Sequence, residues 1–600
     1  MEPFVPLKCH DQKIRGSVLR LWMEEEELKK IIDKFSSVKI NKQEDFISVE
    51  IDKKQLIELL KFLKNTLRYN MFIDLFCIDF PLHNPRFQGV YILFNVEKKR
   101  RVAVKVWAEG NLLPSVVSLW QGAKWAEREM WDMFGIEFEG HENLVRMFLW
   151  EGYKYHPLRK DFPLKGYEEI YLPSLNLRPD EIPAHNYNPY HTEIPTLEDL
   201  EKTQKKRMEK KNQIVLNWGP LHPGTHGTIW FLFDMEGEQI KNCDIILGQL
   251  HRGVEKIAEN LTYTQFIPYT DRMDYISALC SQVAYINAVE KILGIEPPLK
   301  AKFIRTMMCE LQRINSHLLW LGTYALDLGA LTIFLYTFRE REKIMDIIEG
   351  IAGIRLNSSY IRIGGVAKDL PEGALDVINH FCEDFTEKIE EYETILTKNR
   401  IWLKRNVDVG IITEEDVYNY GLTGVVARSA GVPYDIRMIQ PTDAYREVDF
   451  EVPLGTVGDC YDRYLLRMEE MRQSVRIVQQ CVEKLRNMEK EEYMASNNPY
   501  VLPTLEEVFN SIESMVKDFN LRIYGEQVPE GEVYISGENP RGELGFYINS
   551  KGEGKPYRLR IRSGAFYNLQ IFTKLIIGRT VADAVALLGS LDPVVGETDR

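Results

Sequence analysis

The stretch Gly458-Asp-Cys-Tyr-Asp-Arg-Tyr-Leu-Leu-Arg-Met-Glu-Glu-Met-Arg-Gln-Ser474 decides the fold class of most of this chain. It opens a longer run, 459–488, in which charged and apolar residues alternate at helical spacing with no internal proline. Four long amphipathic stretches precede it, at 272–293, 299–325, 335–352 and 371–400. Because amphipathic helices bury their apolar faces against one another, the pattern predicts a helical bundle.

Strand-like segments flank this predicted bundle. The segments 213–218, 228–235 and 238–247 precede it, and 545–549 and 557–561 follow it. Residues 213–600 are therefore predicted to form a mainly α-helical bundle domain with N- and C-terminal β elements.

The first 170 residues have a different pattern. Residues 54–66 show helical apolar spacing, whereas 88–95 and 101–108 are rich in β-branched and aromatic residues. A charged turn at 97–100 joins the two strand-like segments, so we expect an antiparallel hairpin. A helix beside a hairpin sheet is typical of α+β proteins, and residues 1–170 are predicted to form an α+β domain.

Residues 171–212 are predicted to be a linker. Prolines interrupt it at positions 173, 179, 183, 189 and 195. It ends in a run, 201–212, with six basic and two acidic residues. Such a run could grip nucleic acid or lipid phosphate, but a solvated helix face leading into the next domain is the favoured interpretation.

Composition excludes several classes of protein. The 600 residues include 75 Lys and Arg against 89 Asp and Glu, a formal net charge of −14, which argues against nucleic acid as a partner. No stretch approaches the ~20 apolar residues of a spanning helix, and the N-terminus has no secretory signal pattern. An integral membrane protein is excluded on these grounds, whereas a membrane-associated one is not.

The eight cysteines are scattered, and none forms a Cys-x-x-Cys pair. A disulfide framework is therefore improbable, as is a zinc or iron–sulfur site held by this chain alone. We expect reduced, mostly buried cysteines and no metal ligand in this chain.

A loop with two histidines carries the most chemical information. It reads Gly219-Pro-Leu-His222-Pro-Gly-Thr-His226-Gly227, and its proline and glycines argue against a helix. A glycine-bounded loop lets the backbone approach a ligand closely. The alternative is a structured turn with surface histidines, which is common for such a short motif.

Three further segments match a larger pattern only when they are taken together. They begin at Arg252 (RGVE), Arg272 (RMDYIS) and Asp592 (DPVVGE). This order resembles the large subunit of nickel–iron hydrogenases, which carries RGxE, RxCxxC and DPCxxC. The four cysteine positions of that family are occupied here by Asp274, Ser277, Val594 and Glu597. Without thiolates the soft-metal site cannot form.

The closer resemblance is to the D subunit, of 49-kilodalton type, of respiratory complex I, the proton-translocating NADH:quinone oxidoreductase. It covers essentially all of 213–600. The shared motifs are HRGVEK at 251–256, DRMDY at 271–275, LDLGA at 326–330, YIRIGG at 360–365, GELGFY at 542–547 and PYRLRIR at 556–562. The resemblance implies a hydrogenase-type fold in which a quinone pocket occupies the vacated metal site.

The N-terminal part is similar to the C subunit, of 30-kilodalton type, of the same enzyme. The matching segments are EREMWDMFGI at 127–136, GH at 140–141 and PLRKDFPL at 157–164. Their charged and aromatic groups form no plausible redox set and suggest docking and folding. The whole chain thus resembles a fused C/D subunit.

The resemblance implies which residues act on quinone. It places the headgroup between His226 and Tyr275, with His222 on the same loop and Asp327 as the partner of His226. A phenol and an imidazole can hydrogen-bond the two quinone oxygens and then donate the two protons that reduction requires. A carboxylate beside the imidazole fixes its tautomer and favours its protonated form.

The resemblance also implies that Arg252 and Arg272 approach a terminal [4Fe–4S] cluster held by a partner subunit, where positive charge raises the cluster potential. Asn357 occupies a place where many D subunits have a histidine. Because asparagine cannot titrate, a pH-dependent cluster potential is in doubt, and a menaquinone-type quinone is favoured.

The implied partners are a cluster-bearing B-type subunit, an I-type ferredoxin subunit, a G-type subunit and a membrane H-type subunit. The implied location is peripheral, on the cytoplasmic side of the cell inner membrane. Two alternatives stay open: a hydrogenase-like or ferredoxin-linked membrane complex built on the same frame, and a non-catalytic assembly scaffold.

Overall fold

The computed structural model describes residues 7–8, 21–35, 37–43, 46–149, 153–166, 213–495 and 498–600. The predicted linker at 171–212 lies outside these residues.

The N-terminal part is built on a five-stranded sheet. After β1 (Leu7–Lys8), its strands are β2 (Lys39–Gln43), β3 (Phe46–Ile51), β4 (Met71–Asp79), β5 (Phe87–Asn95) and β6 (Arg100–Trp107), in the order β2-β3-β6-β5-β4. Among the described strands of this sheet, only β3 and β6 pair in parallel. The hairpin predicted around the charged turn is confirmed, with Gln88 opposite Trp107.

Among the described residues, three α-helices and a small strand pair complete this part. The helices are α1 (Glu25–Lys34), α2 (Leu56–Asn65) and α3 (Ala123–Phe134), and the strands are β7 (Leu112–Pro114) and β8 (Glu137–Glu139). Helix α2 confirms the helix predicted at 54–66. It buries Leu56, Leu59, Leu60 and Leu63, a spacing that places all four side chains on one helical face.

The C-terminal part begins with three antiparallel strands. These are β9 (Gln213–Trp218), β10 (Trp230–Glu236) and β11 (Gln239–Ile246), and β10 lies in the middle. The remaining strands are β12 (Ile361–Arg362), β13 (Gly365–Val366), β14 (Glu451–Val452), β15 (Gly531–Asn539), β16 (Gly542–Ser550) and β17 (Arg558–Arg562). The last three form an antiparallel sheet with β16 in the middle, and β1 pairs with β14.

Helices fill most of the space between these strands. The long ones are α6 (Ala278–Leu293), α7 (Leu299–Asp327), α8 (Leu331–Ala352), α9 (Ala374–Leu396) and α14 (Cys460–Arg486). The shorter ones are α4 (Val254–Ala258), α5 (Tyr263–Thr270), α10 (Arg400–Asn406), α11 (Glu414–Tyr420), α12 (Val425–Ser429), α13 (Ile436–Ile439), α15 (Leu505–Asn510), α16 (Ile512–Ile523), α17 (Gly564–Gln570), α18 (Phe572–Leu575), α19 (Val581–Leu591) and α20 (Val595–Asp599). Helix α7 packs against α8, α14 and α6, so the predicted bundle is confirmed.

One predicted helix begins later than its apolar pattern indicates. The stretch expected at 272–293 becomes helical only at Ala278. The carboxylate of Asp274 accepts hydrogen bonds from the backbone N–H groups of Ile276 and Ser277, each at 3.3 Å, and from the Ser277 hydroxyl. These bonds close a turn that competes with the helix and place Tyr275 inside it.

The apolar core has two main clusters. One lies between α6, α7, α8, α9 and α14. The other contains the N-terminal sheet together with residues from 409–460 and 534–595. The N- and C-terminal parts therefore share one of the two cores.

No helix within the described ranges is long and apolar enough to cross a membrane. The seven cysteines in those ranges are buried and carry free thiols.

Candidate functional site

The loop between β9 and β10 is held by its first histidine. His222 Nδ1 accepts hydrogen bonds from Trp218 Nε1 at 2.9 Å and from the backbone N–H of Gly224 at 3.1 Å. Two donors at Nδ1 require an unprotonated nitrogen there, which leaves the proton of neutral His222 on Nε2. The buried Thr225 hydroxyl closes the loop with bonds to the carbonyls of His222 and Gly227.

The second histidine of the loop meets the end of the longest helix. His226, with a φ of 54°, has its Nε2 hydrogen-bonded to a carboxylate oxygen of Asp327, the last residue of α7. Their side chains are 15% and 17% exposed, so the pair is mostly covered but open to one side. The C-terminus of a helix favours positive charge, and the imidazole of His226 lies there beside Asp327.

Tyr275 lies in the turn before α6 and is 39% exposed. Partial burial, followed by the neighbouring Asp274 carboxylate, raises the pKa of its phenol. Since the pKa of a free phenol is already about 10, Tyr275 holds its proton at neutral pH and can donate it.

The histidine loop and the Tyr275 turn both pack against α20. A Cβ atom on Gly227 would lie 2.3 Å from Val595 Cγ2, and one on Gly596 would lie 2.7 Å from the Met273 carbonyl and 3.3 Å from Tyr275 Cε1. The close approach requires glycine at both positions. Gly227, the neighbour of His226, and Tyr275 thus lie against consecutive residues of one short helix, Val595 and Gly596.

The two arginines singled out in the sequence lie together. Arg252 Nη2 donates to the backbone carbonyl of Arg272 at 2.8 Å, and the Arg252 N–H donates to the carbonyl of Arg600. Both side chains are exposed, that of Arg272 by 48%. They form an exposed positive patch next to the Tyr275 turn, in which Arg272 Nη1 also lies 3.5 Å from the Asp271 carboxylate.

Asn357 lies in the loop after α8, in a left-handed conformation with φ of 52°. Its Oδ1 is buried and has no hydrogen-bond partner among the described residues. Two residues on, the Ser359 hydroxyl donates to Asp271 at 2.8 Å, which attaches this loop to the segment that carries Arg272.

A buried cluster of charges behind Tyr275 was missed by reasoning from sequence. Arg541 lies 3.3 Å from Asp274 and 3.2 Å from Asp592, and it donates to the Ser316 hydroxyl. Glu597 accepts hydrogen bonds from the Ser563 hydroxyl at 2.9 Å and the Ala565 N–H at 3.1 Å. Burial and the nearby Asp274 carboxylate raise the pKa of Glu597 to about 7.

Two positions matched to hydrogenase cysteines, 274 and 597, thus hold carboxylates near one guanidinium. The sequence did contain one sign of this role: Arg541 is a charged residue directly before the GELGFY motif at 542–547.

Replacing Glu597 by glutamine is expected to change how stability depends on pH. Its pKa is about 7 in the folded chain and about 4.3 when unfolded, so the stabilisation present below pH 4.3 is lost as the pH rises through 7. Glutamine keeps both acceptor contacts without titrating. Between pH 5 and 8 the variant should gain roughly 3 kcal/mol relative to the unmodified chain.

Thermal unfolding temperatures at pH 5 and pH 8 check this expectation. Glu387→Gln, at an exposed position of α9, is the matched control and should follow the unmodified chain. Parallel pH profiles for Glu597→Gln and the unmodified chain would contradict it.

A second set of buried arginines joins the two parts of the chain. In the PYRLRIR motif, Arg560 lies 2.9 Å from Asp74 and also pairs with Glu129, while Arg558 Nε donates to the Cys77 carbonyl at 3.0 Å. Arg600 lies 3.0 Å from Glu129. All these arginines are almost fully buried. Carboxylates of the N-terminal part therefore neutralise buried arginines of the C-terminal part.

Comparison with known proteins defines the class of protein. Residues 327–600 match the family described as respiratory-chain NADH dehydrogenase, 49 Kd subunit. Residues 49–168 match the family described as respiratory-chain NADH dehydrogenase, 30 Kd subunit. One chain therefore contains both subunit types of this respiratory enzyme.

Relatives with the same arrangement cover nearly the whole chain. It is 65% identical over 556 residues to the second C/D subunit of the NADH-quinone oxidoreductase of Aquifex aeolicus, covering 92% of this chain and 95% of the relative. It is 62% identical over 589 residues to the C/D subunit of Sulfurihydrogenibium, covering 96% of this chain and 100% of the relative. The D subunit of Methylacidiphilum infernorum is 50% identical over 389 residues, 65% of this chain.

The chain belongs to the fused C/D subunits of NADH-quinone oxidoreductase, complex I. It is a peripheral-arm subunit of that enzyme, and its partners are other subunits of the same complex.

Proposed function

We propose that this chain forms the quinone-reduction site of the enzyme, in which His226, Tyr275 and Asp327 act on quinone. The supporting observation is that the His226 loop and the Tyr275 turn both pack against α20, while His226 is bonded to Asp327. The two segments that carry the imidazole and the phenol are thus held by one short helix, and both side chains are partly exposed.

Quinone reduction takes two electrons and two protons. In the proposed site Tyr275 and His226 each hydrogen-bond one quinone oxygen and each donate one proton, which yields the quinol. In the other histidine of the loop, His222, Nδ1 already accepts two hydrogen bonds from within the loop region. His222 can therefore contact the quinone headgroup only through Nε2.

Asp327 is a positioning residue for His226. When His226 gives up its proton, Asp327 becomes a largely covered carboxylate with a neutral partner at a helix C-terminus, an unfavourable arrangement. A response of the protein to that charge is the proposed first step in coupling quinone reduction to proton translocation.

The electrons come, in this proposal, from a terminal [4Fe–4S] cluster of a partner B-type subunit that faces Arg252 and Arg272. The exposed positive patch suits a reduced, more negative cluster. Position 357 holds an asparagine in place of the titratable histidine of many D subunits, and this difference favours a menaquinone-type quinone. I-, G- and H-type subunits are the further proposed partners, and the cytoplasmic side of the inner membrane is the proposed location.

The proposal extends to the fold and the domains. Residues 213–600 are assigned a hydrogenase-large-subunit type of fold, joined through a linker at 171–212 to the C-type domain at 1–170. The alternatives are a ferredoxin-linked complex on the same frame and an assembly scaffold. A scaffold role predicts that changes at His226 or Tyr275 alter only stability.

Asp327→Asn is expected to lower quinone reduction by about 10–100-fold, the range found when a partner that orients a working histidine is removed. The amide keeps the size of the side chain but removes the charge beside His226.

Quinone reductase activity and proton pumping of the assembled enzyme check this expectation. Asp346→Asn, at an exposed carboxylate of α8, is the matched control and should leave both unchanged. Unchanged turnover and proton pumping in Asp327→Asn would remove Asp327 from the mechanism.

A further inference from the structure

Helix α16 turns its apolar face outward. Ile512, Met515, Val516, Phe519 and Ile523 are each 50% exposed or more. Their spacing of three and four residues places them on one face of the helix. Within α16 only Leu521 is buried. A surface helix normally shows the reverse arrangement, with its apolar face against the core.

The opposite face of α16, which carries Lys517 and the buried Leu521, is the one that touches the rest of the protein. Lys517 Nζ donates to the backbone carbonyl of Asn498 at 3.0 Å, and Gln265 Nε2 of helix α5 donates to the carbonyl of Arg522 at 2.8 Å. The Ser511 hydroxyl accepts from the Ser514 N–H and caps the helix. The Lys517 hydrogen bond and the burial of Leu521 therefore support the outward orientation of the apolar face.

The preceding helix α15 extends the same surface, because Phe509 is 83% exposed and Leu505 is 67% exposed. A large aromatic side chain carries roughly 150–250 Å² of surface. The apolar side chains of α15 and α16 together expose an area on the order of 800 Å², about one partner's share of a standard interface. Patches of this size mark interaction sites.

The charges at the rim of this surface select the kind of partner. Glu506, Glu507 and Glu513 are exposed, whereas Arg522 is already paired with Asp518 at 2.8 Å. An acidic rim is repelled by the anionic headgroups of a membrane surface. A second copy of this chain would bring the same acidic rim against itself, which like-charge repulsion disfavours. A surface bordered by Lys and Arg side chains complements it.

We propose that the apolar face of α15 and α16 docks another subunit of the same enzyme, one that presents an apolar groove bordered by basic side chains. The proposal is independent of the quinone site, because it rests on the exposed face, its rim charge and membership of a multisubunit enzyme.

Site-specific cross-linking in the assembled enzyme tests this. A photoreactive phenylalanine analogue at position 519 should cross-link to a peptide of one other subunit, identified by mass spectrometry. The same analogue at Ile401, which is 65% exposed on α10, is the control and should not label that peptide. Cross-links to lipid, to a second copy, within the chain, or to nothing would overturn the proposal.

A charge substitution provides the second measurement. Phe519→Glu should lower recovery of the cross-linked subunit in the purified complex by about tenfold or more, since a carboxylate would be buried in an apolar groove. Ile401→Glu should leave recovery unchanged, and both variants should unfold at the temperature of the unmodified chain. Full recovery of every subunit with Phe519→Glu would contradict the proposed docking surface.

Discussion

Tyr275→Phe is expected to lower the rate of quinone reduction by about 10²–10⁴-fold, the contribution typical of a positioned proton donor. The substitution keeps the ring, and hence its contact with the backbone at Gly596, and deletes only the hydroxyl. Since the raised pKa of Tyr275 keeps the phenol protonated at neutral pH, the lost group is a proton source and not a charge.

Two measurements separate this effect from misassembly. Electron transfer from the donor to a water-soluble acceptor such as ferricyanide should be unchanged, because in the proposed scheme that path ends before Tyr275. Tyr269→Phe is the matched control: Tyr269 is 37% exposed, stacks on Phe266, and should tolerate the loss of its hydroxyl. Full quinone reduction with Tyr275→Phe would end the proposed role, and loss of both activities would indicate a defect in assembly.

Arg560→Met is expected to destabilise the chain by about 3–5 kcal/mol, the usual consequence of removing one partner from a buried ion pair. Arg560 is 2% exposed and lies 2.9 Å from Asp74, which is fully buried. Without the guanidinium, the Asp74 carboxylate keeps the Tyr567 hydroxyl at 2.7 Å but loses its counter-charge. The expected result is a lower urea midpoint and greater sensitivity to proteolysis.

A second substitution tests the cause. Asp74→Asn combined with Arg560→Met should recover a large part of the lost stability, because the uncompensated charge is removed while the amide still accepts from Tyr567. Arg486→Met is the control. Arg486 pairs with Asp376 at the surface, and its removal should change stability by no more than about 1 kcal/mol. If the double variant were no more stable than Arg560→Met, the uncompensated charge of Asp74 would not be the cause of the loss.

The class of fold could be predicted from local pattern. The apolar period of 3.6 residues within 459–488 predicted a helix, and α14 covers Cys460–Arg486. The alternation and the charged turn between 88–95 and 101–108 predicted the hairpin formed by β5 and β6. These features depend on neighbours in sequence, and for that reason periodicity alone identifies them. The start of α6 was missed because a side chain, Asp274, captured the backbone donors of the turn before it.

The sequence by itself determined that the chain is a fused C/D subunit of complex I, because ordered motifs in two successive segments identify both subunit types. It also singled out His226, Tyr275 and Asp327 as the residues to examine. The resemblance already implied Asp327 as the partner of His226, and the structure shows their hydrogen bond. Only the tertiary structure decided that Arg541 balances the carboxylates of Asp274 and Asp592, and that the apolar face of α16 points outward. The physical reason is that a buried charge needs an opposite charge close to it in space. The pattern of residues along the chain does not show which distant residues the fold brings together.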